Sequence, residues 1–281
     1  MKLRPGELPL ICGLVRSLTG VALDESKAYL IENRLGTIAE EAGCTTLNEL
    51  YFKLKYEGDT DLTAKTVEAI TTHETNWFRD GAPFEALQYK LAPESIDARE
   101  QKGQPRTLRI WSAACSTGQE PYGIAMVLRE MIPDIDSWSI EILATDISDE
   151  TLRKAAEGRY APHDVRRSQR PEAMQRWFDT DGDVSVVKPQ IRKMVRFERA
   201  NLLENLNRFG TFDIVFLRNV LIYFDVATRR RVLGQIQRML QPHGWLMLGA
   251  TENLSEACPE WPAEVHCRAT VYRPGMLPII A

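Results

Sequence analysis

Apolar residues recur at helical spacing in the N-terminal part of the chain, and nothing there alternates as a strand does. Successive helices are predicted over residues 8–18, 28–38, 47–54 and 62–70. Asp61 is expected to cap the last of them. Short helices joined by short turns typically pack into a compact bundle. The pattern therefore predicts a small all-helical N-terminal domain over residues 1–75.

Residues 76–105 are predicted to link this domain to the rest of the chain. Apolar positions favour one further helix over residues 84–91. The polar stretch 93–105 contains Gly103 and begins and ends with proline, so it is predicted to be an exposed loop.

From residue 106 onward, strand-like runs alternate with helical patterns. Strands are predicted over residues 108–111, 140–144, 212–217, 245–248 and 269–272. Helices are predicted over residues 121–131, 149–157 and 227–240, the last capped by Asp225. Alternation of this kind is typical of a parallel sheet covered by helices on both faces. Residues 106–281 are therefore predicted to form a doubly wound, Rossmann-like α/β domain.

Residues 160–199 interrupt this alternation. A short helix near residues 172–178 and a turn at 179–183 precede two strand-like pieces, 184–188 and 194–199. The pattern predicts a small antiparallel β insertion. Its edge could accept an extended peptide, but a hairpin that merely covers the edge of the main sheet fits equally well.

Composition and cysteine usage are those of an ordinary globular protein. The chain has 281 residues, of which 44% are hydrophobic and 26% charged. It contains no apolar run near the ~18 residues that a membrane span needs, and no N-terminal apolar core for a secretory signal. Its 5 cysteines are scattered, which favours reduced thiols. We therefore expect a cytoplasmic protein that does not insert into membranes.

Charge and histidine spacing argue against two further classes of protein. A formal net charge of -4 disfavours nucleic-acid binding, which needs a basic face. The 4 histidines lie far apart, so no metal site is predicted. Cations do concentrate in residues 153–170 and 188–199, where they form either a docking surface for an acidic partner or ordinary solvated surface.

The stretch Ile110-Trp111-Ser112-Ala113-Ala114-Cys115-Ser116-Thr117-Gly118-Gln119-Glu120 is the first candidate for chemistry. A strand ends in small residues, turns at Gly118 and enters a helix near Glu120, as at the cofactor crevice of open α/β sheets. The dinucleotide fingerprint G-x-G-x-x-G is absent. The turn therefore favours a cofactor that carries no pyrophosphate.

Polar residues follow the ends of the other predicted strands. Asp146 follows the second strand, where a carboxylate accepts hydrogen bonds from ribose hydroxyls. Alternatively it caps the next helix, a role that Ser148 or Asp149 would also suit. Arg218 and Asn219 follow the buried strand 212–217 and are expected to face the crevice.

Two further residues have two interpretations each. Asn201, before Leu202 and Leu203, could read an adenine edge or form an Asx turn, and spacing alone favours the turn. Tyr223 lies among apolar residues, so it is either a site residue or a core tyrosine with a satisfied hydroxyl.

Motifs along most of the chain match one known family. They are Glu74-Thr75-Asn76-Trp77-Phe78-Arg79-Asp80, similar to E-T-x-F-F-R-D, then residues 111–122, 144–147, 201–203 and 216–224. With these motifs the chain resembles the chemotaxis receptor glutamate O-methyltransferases of the CheR family. The resemblance implies a helical N-terminal domain, a linker and an S-adenosylmethionine-dependent methyltransferase domain with a β insertion, and S-adenosylhomocysteine as the product.

The resemblance also implies roles for individual residues. Arg79 and Tyr223 stand where the family has its active-site arginine and tyrosine. Cofactor contacts are implied for His73, Thr75, Arg79, Glu120, Asp146, Asn201, Leu202, Arg218 and Asn219. His73 stands where asparagine is frequent in the family.

The implied partners are the cytoplasmic domains of chemotaxis receptors, and we expect a monomer. Some family members bind a receptor pentapeptide on the β insertion. Residues 178–199 here are shorter and poorer in glycine than in those members, which favours an enzyme that works without that tether. Two alternatives are a methyltransferase of another substrate class and a non-catalytic S-adenosylmethionine-binding signalling module. Such a module is expected to have lost Arg79 or Tyr223, and both are present here.

Overall fold

The computed structural model describes residues 1–273, and residues 274–281 of the predicted 106–281 domain lie outside that range. The N-terminal residues form the predicted bundle. Its helices are α1 (Glu7–Thr19), α2 (Ala28–Leu30), α3 (Gly36–Glu41), α4 (Leu47–Phe52) and α5 (Thr60–Ile70), with π-helical turns at Ile31–Leu35 and Lys53–Glu57 and a 3₁₀ turn at Glu25–Lys27. Its core is a cluster of buried aliphatic side chains, among them Ile11, Ile31, Leu35 and Leu47.

The predicted cap of α5 is wrong by two positions. The Asp59 side chain, not that of Asp61, accepts a hydrogen bond from the Leu62 backbone N–H at 2.9 Å. Asp59 has the extended backbone that an N-cap requires, with φ of -68° and ψ of 105°. Both aspartates suit a cap by residue type, and only the backbone geometry separates them.

The predicted loop 93–105 is also wrong over most of its length. The chain continues from α6 (Ala82–Ala86) through a π-helical turn at Leu87–Leu91 into α7 (Ala92–Gln101). Pro93 follows the π-helical turn directly, and Leu91 and Ala92 keep helical backbone angles, so this proline lies within a continuous helical segment and does not end it. Arg99 on α7 forms an ion pair with Asp213, with 2.5 Å between Nη2 and Oδ1. This contact fixes the helix against the sheet, and local sequence does not reveal it.

The remaining elements form the α/β part. Its strands are β1 (Thr107–Ala113), β2 (Ser139–Asp146), β3 (Arg159–Tyr160), β4 (Phe178–Asp181), β5 (Val184–Val187), β6 (Val195–Arg199), β7 (Phe212–Leu217), β8 (Leu240–Leu248), β9 (Ala263–His266) and β10 (Ala269–Tyr272). Its helices are α8 (Gln119–Met131), α9 (Asp149–Glu157), α10 (Pro162–Arg166), α11 (Pro171–Trp177), α12 (Pro189–Arg192) and α13 (Val226–Met239), with 3₁₀ turns at Ile135–Ser137, Asn207–Phe209 and Leu221–Tyr223.

The main sheet has 7 strands in the order β6-β2-β1-β7-β8-β10-β9. β6, β2, β1, β7 and β8 are parallel, whereas β10 and β9 pair antiparallel at one edge. Ile110 and Ile214 pack with α8 on one face. Their neighbours Trp111 and Val215 pack with α13 on the other. Both faces are covered, which confirms the doubly wound Rossmann-like sheet.

A small antiparallel insertion is present as predicted, but one of its two predicted strands belongs to the main sheet. β3, β5 and β4 form a separate 3-stranded antiparallel sheet, with the turn confined to Gly182 and Asp183 because β4 extends to Asp181. The piece 194–199 does not belong to it. As β6 it pairs in parallel with β2 in the main sheet. An apolar alternation marks a strand but does not identify the strand with which it pairs.

Two details at the opposite edge also differ from expectation. β9 was not predicted, and the expected turn at 242–244 lies inside β8. β8 is irregular there, because its register against β7 shifts between Phe212 and Ile214. An irregularity of this kind lets a strand accept Pro242.

No helix within residues 1–273 has the length and apolar character that crossing a membrane requires.

Candidate active site

A cavity lies at the carboxyl ends of β1, β2 and β7, where the end of α1 and the segment after α5 close it. Its empty volume is about 1060 Å³ including its mouth, which suits a small-molecule ligand. The sequence-predicted site residues all line it. They are His73, Thr75, Arg79, Glu120, Asp146, Asn201, Leu202, Arg218, Asn219 and Tyr223. The fold thus brings together residues that are far apart along the chain.

The turn between β1 and α8 forms the floor of the cavity. Ala114 and Ser116 have φ values of 58° and 50°, and Gly118 has 92°. A Cβ at Gly118 would lie 2.9 Å from the Ala155 Cβ and 3.1 Å from the Tyr160 hydroxyl. The turn therefore requires glycine at this position. Non-glycine residues in left-handed conformations cluster at functional sites, and here they face the cavity.

Asp146 is a buried carboxylate that holds this turn from the neighbouring strand. Its Oδ2 accepts the Ser116 N–H at 2.8 Å, and its Oδ1 accepts the Ser148 N–H at 3.0 Å. Burial raises the pKa of Asp146, while these backbone bonds oppose the increase. Ser148 is the residue that caps α9, through the Thr151 N–H. Asp146 retains lone pairs for a ligand, because a carboxylate accepts about four hydrogen bonds.

His73 connects the cavity to the N-terminal helices. Its backbone carbonyl accepts the Ser116 hydroxyl at 2.8 Å. Its Nε2 lies 2.9 Å from the Thr71 hydroxyl and 3.3 Å from the Glu68 Oε1. Glu68 also accepts a hydrogen bond from the hydroxyl of Ser148. The imidazole is therefore engaged with α5, and the main chain of His73 positions the cavity floor.

Arg218 and Glu120 form a buried ion pair in the opposite wall. The Arg218 side chain is 2% exposed, and its Nη1 donates to the Glu120 Oε2 at 2.8 Å. Its Nη2 donates to the Asp80 Oδ2 at 2.7 Å and to the Arg79 carbonyl at 2.8 Å. The Ser112 hydroxyl donates to the Glu120 Oε1 at 2.7 Å. Two carboxylates thus compensate the charge of Arg218, which acts as part of the wall.

Arg79 differs from Arg218 because its charge is not compensated. Its Nη1 donates to the Glu74 carbonyl at 3.1 Å. Within residues 1–273 it forms no ion pair with a carboxylate. The Tyr223 hydroxyl likewise has no hydrogen-bond partner in the described part of the chain, and the Tyr223 carbonyl accepts the Ala22 N–H at 2.8 Å. Arg79 and Tyr223 are therefore free to bind a ligand.

Asn201 uses its side chain within the protein. Its Oδ1 accepts the Leu203 N–H at 3.0 Å in an Asx turn, and its Nδ2 donates to the Leu18 carbonyl at 2.7 Å. The Leu202 carbonyl accepts the Gln235 side chain at 3.1 Å. The structure thus shows the Asx turn, and the Asn201 amide is engaged in joining α1 to the cavity wall.

Sequence reasoning missed several residues that build this wall. Asp80 lies in the motif 74–80, and its φ of 69° and its bond to Arg218 show that it is more than a flanking residue. Glu252 accepts backbone N–H groups of the loop after β7. No pattern near Glu252 distinguishes it from a surface glutamate, whereas the motif was a usable signal for Asp80.

The hydrogen-bonding side chains of the cavity suit a nucleoside that carries an amino acid. Asp146 offers acceptors for two hydroxyls, Glu120 offers an acceptor for an ammonium group, and Arg79 offers donors for a carboxylate. No glycine-rich phosphate cradle is present in the turn 113–118. Among residues 1–273, no group of three or more His, Cys, Asp or Glu side chains is arranged to hold a metal ion.

The sheet and this cavity define a Rossmann-like α/β protein whose site suits a nucleoside that carries an amino acid, as S-adenosylmethionine does. Comparison with protein families agrees: the CheR methyltransferase SAM-binding domain matches residues 73–271, and the CheR methyltransferase all-alpha domain matches residues 6–71. The chain belongs to the CheR family of methyltransferases.

Curated relatives carry the same description. The chain is 42% identical over 241 residues to the chemotaxis protein methyltransferase Cher2 of Pseudomonas putida, covering 84% of this chain and 86% of that protein. It is 40% identical over 260 residues to chemotaxis protein methyltransferase 1 of Pseudomonas aeruginosa, covering 90% and 92%. It is 37% identical over 252 residues to chemotaxis protein methyltransferase 1 of Vibrio cholerae, covering 87% and 88%. The chain is thus a chemotaxis protein methyltransferase by family.

Proposed function

We propose that this protein methylates glutamate side chains in the cytoplasmic domains of chemotaxis receptors and acts as a monomer. The observation that carries the proposal is the contrast between the two arginines of the cavity. Arg218 is neutralised by Glu120 and Asp80, whereas Arg79 has no carboxylate partner in the described residues and lines the same cavity as Tyr223, whose hydroxyl is unpartnered there. A cavity that contains an uncompensated guanidinium and a free phenol suits a ligand with a carboxylate group.

The contribution required of the protein is to position the two reactants. When bound, S-adenosylmethionine supplies a methyl group activated by its sulfonium. A glutamate side chain is already ionised near neutral pH, so the protein needs no general base. Arg79 orients a carboxylate, either that of the acceptor or that of the cofactor's methionine part, through charge-assisted hydrogen bonds. Tyr223 positions the nucleophile or lines the transfer path, and such alignment supplies several kcal/mol of the barrier reduction.

The direct test uses cofactor labelled in its methyl group. Purified receptor cytoplasmic domains are incubated with the full chain, and the label released by mild base is counted, because glutamyl methyl esters are base-labile. We expect label on glutamate residues of the receptor. Transfer only to nucleic acid or to a small molecule would contradict the proposal and favour another substrate class.

Replacing Tyr223 by phenylalanine tests the role of the hydroxyl. We expect the methyl-transfer rate to fall about two- to tenfold, because a neutral hydrogen bond contributes about 0.5–1.5 kcal/mol. Tyr89→Phe is the matched control, since Tyr89 is 68% exposed and does not line the cavity. Wild-type turnover in the Tyr223 variant would contradict a role for its hydroxyl in methyl transfer.

We further propose that the enzyme works without a receptor pentapeptide tether. The outer strand β4 of the small sheet carries Asp179 and Asp181, whose carboxylates pair with Lys188 and Arg159. Charged side chains on an edge strand discourage the addition of another strand. Calorimetric titration with the pentapeptide is expected to show no binding at micromolar concentration. Heat released when S-adenosylhomocysteine binds to the same preparation confirms that the protein is folded and able to bind a ligand. Micromolar pentapeptide binding would contradict the proposal.

A further inference from the structure

The loop after β7 carries much of one cavity wall, and its backbone is unusual. It comprises residues 218–223 and includes Arg218, Asn219 and Tyr223, which all line the cavity. Asn219 has a φ of 59°, in the left-handed region that residues with a side chain rarely adopt. Such a conformation persists only where surrounding contacts enforce it.

The carboxylate of Glu252, in the loop after β8, holds this stretch by its backbone N–H groups. Its Oε2 accepts the Asn219 N–H at 2.6 Å and the Gly249 N–H at 2.8 Å. Its Oε1 accepts the Val220 N–H at 3.0 Å and the Ile222 N–H at 3.3 Å. Both oxygens are therefore saturated by backbone donors. Converging N–H groups of this kind form an anion-binding concavity, which here is filled by a side chain of the protein itself.

Burial and charge make this arrangement specific. Glu252 is 8% exposed, and in the described part of the chain it forms no ion pair with Lys, Arg or His. The groups in hydrogen-bond contact with its negative charge are the four backbone N–H groups. A Cβ at Gly249 would lie 2.7 Å from the Glu252 Oε2 and 2.7 Å from the Asn219 Nδ2, so the site leaves no room for a side chain at position 249.

We propose that Glu252 is a positioning residue for methyl transfer: it fixes the backbone of residues 219–222 and thereby the placement of Asn219 and Tyr223. Glu252 does not line the cavity, so it acts through this loop. The inference rests on the proposed function for its catalytic readout. It deepens that function by naming a residue whose charge is needed although it does not touch either substrate.

Glu252→Gln is the informative substitution because it keeps the size of the side chain. Each carboxylate oxygen serves two N–H donors, so either orientation of the amide places an NH₂ group against two donors. The matched control is Glu260→Gln. Glu260 lies on the same segment between β8 and β9, is exposed, and forms no ion pair or side-chain hydrogen bond within residues 1–273.

The experiment has two readouts on the full chain with S-adenosylhomocysteine or S-adenosylmethionine present. Amide hydrogen exchange of residues 218–224 is expected to be faster in Glu252→Gln and unchanged in Glu260→Gln. The methyl-transfer rate at saturating receptor and cofactor is expected to fall at least about tenfold in Glu252→Gln, because small misplacements of reacting groups are costly. Glu252→Asp, which keeps the charge, is expected to recover part of the rate, and it carries the test if the glutamine variant does not fold.

The outcomes separate this inference from the proposed function. Unchanged exchange in the loop, or a transfer rate of Glu252→Gln equal to that of the wild type, overturns the positioning role. Absence of receptor methylation by the wild type overturns the proposed function instead, and hydrogen exchange still decides whether Glu252 holds the loop. A loss in the control variant equal to that in Glu252→Gln also overturns the inference, because the effect would then not depend on the buried carboxylate.

Discussion

Replacement of Arg79 by alanine is expected to reduce methyl transfer to a receptor glutamate about ten- to hundredfold. Arg79 is the cation of the cavity whose charge no carboxylate compensates in the described residues, so its hydrogen bonds are available to a bound carboxylate. A hydrogen bond to a charged group contributes about 1.5–3 kcal/mol, and about 1.4 kcal/mol corresponds to a factor of ten. Initial rates with labelled cofactor and purified receptor domains measure the loss.

Two further variants make this result specific. Arg79→Lys keeps the charge but not the planar fork of donors, so it is expected to recover only part of the rate. Arg238→Ala removes an exposed arginine on α13 that neither lines the cavity nor belongs to the two cation-rich stretches, and it should leave the rate unchanged. A separate measurement of S-adenosylhomocysteine affinity identifies which carboxylate Arg79 binds. Weaker affinity in Arg79→Ala indicates the cofactor's carboxylate, whereas unchanged affinity indicates that of the acceptor. Wild-type rates in Arg79→Ala would contradict any catalytic role.

Replacement of Asp146 by asparagine is expected to weaken binding of S-adenosylhomocysteine about ten- to hundredfold. The carboxylate is buried and already accepts the Ser116 and Ser148 N–H groups, so an amide of the same size leaves too few acceptors for two ribose hydroxyls. The lost charge-assisted bonds contribute about 1.5–3 kcal/mol. Isothermal titration calorimetry gives the affinity directly and does not depend on the identity of the acceptor.

The matched control for Asp146 lies three positions along the chain. Asp149 is at the start of α9 with a side chain that is 70% exposed, and it pairs with Arg199. Asp149→Asn is therefore expected to leave the affinity unchanged. If Asp146→Asn binds S-adenosylhomocysteine as tightly as the wild type, the carboxylate does not contact the ribose, and its role is limited to holding the Ser116 turn.

Local sequence patterns predicted most elements of the fold. The run 212–217 and helix 149–157 have the bounds that β7 and α9 show, and Asp225 caps α13 through the Thr228 N–H as predicted. These features depend on neighbours within a few positions, because helix periodicity, caps and turn residues act over one or two turns. The two wrong predictions, at 93–105 and 194–199, concern features that depend on residues far away along the chain. Each was decided by a distant partner, Asp213 for α7 and β2 for β6.

The sequence by itself determined the class of fold, the position of the cofactor crevice after β1, and, through motif resemblance, the family and the residues that line the cavity. It did not distinguish Arg79 from Arg218, because both are arginines within motifs that match the family. Only the tertiary structure showed that Glu120, 98 positions from Arg218, compensates one of them and leaves Arg79 free. Likewise only the tertiary structure placed Glu252 beneath the loop 219–222. Charge compensation and backbone support act through space at hydrogen-bond distance, and chain separation carries no information about which groups come that close.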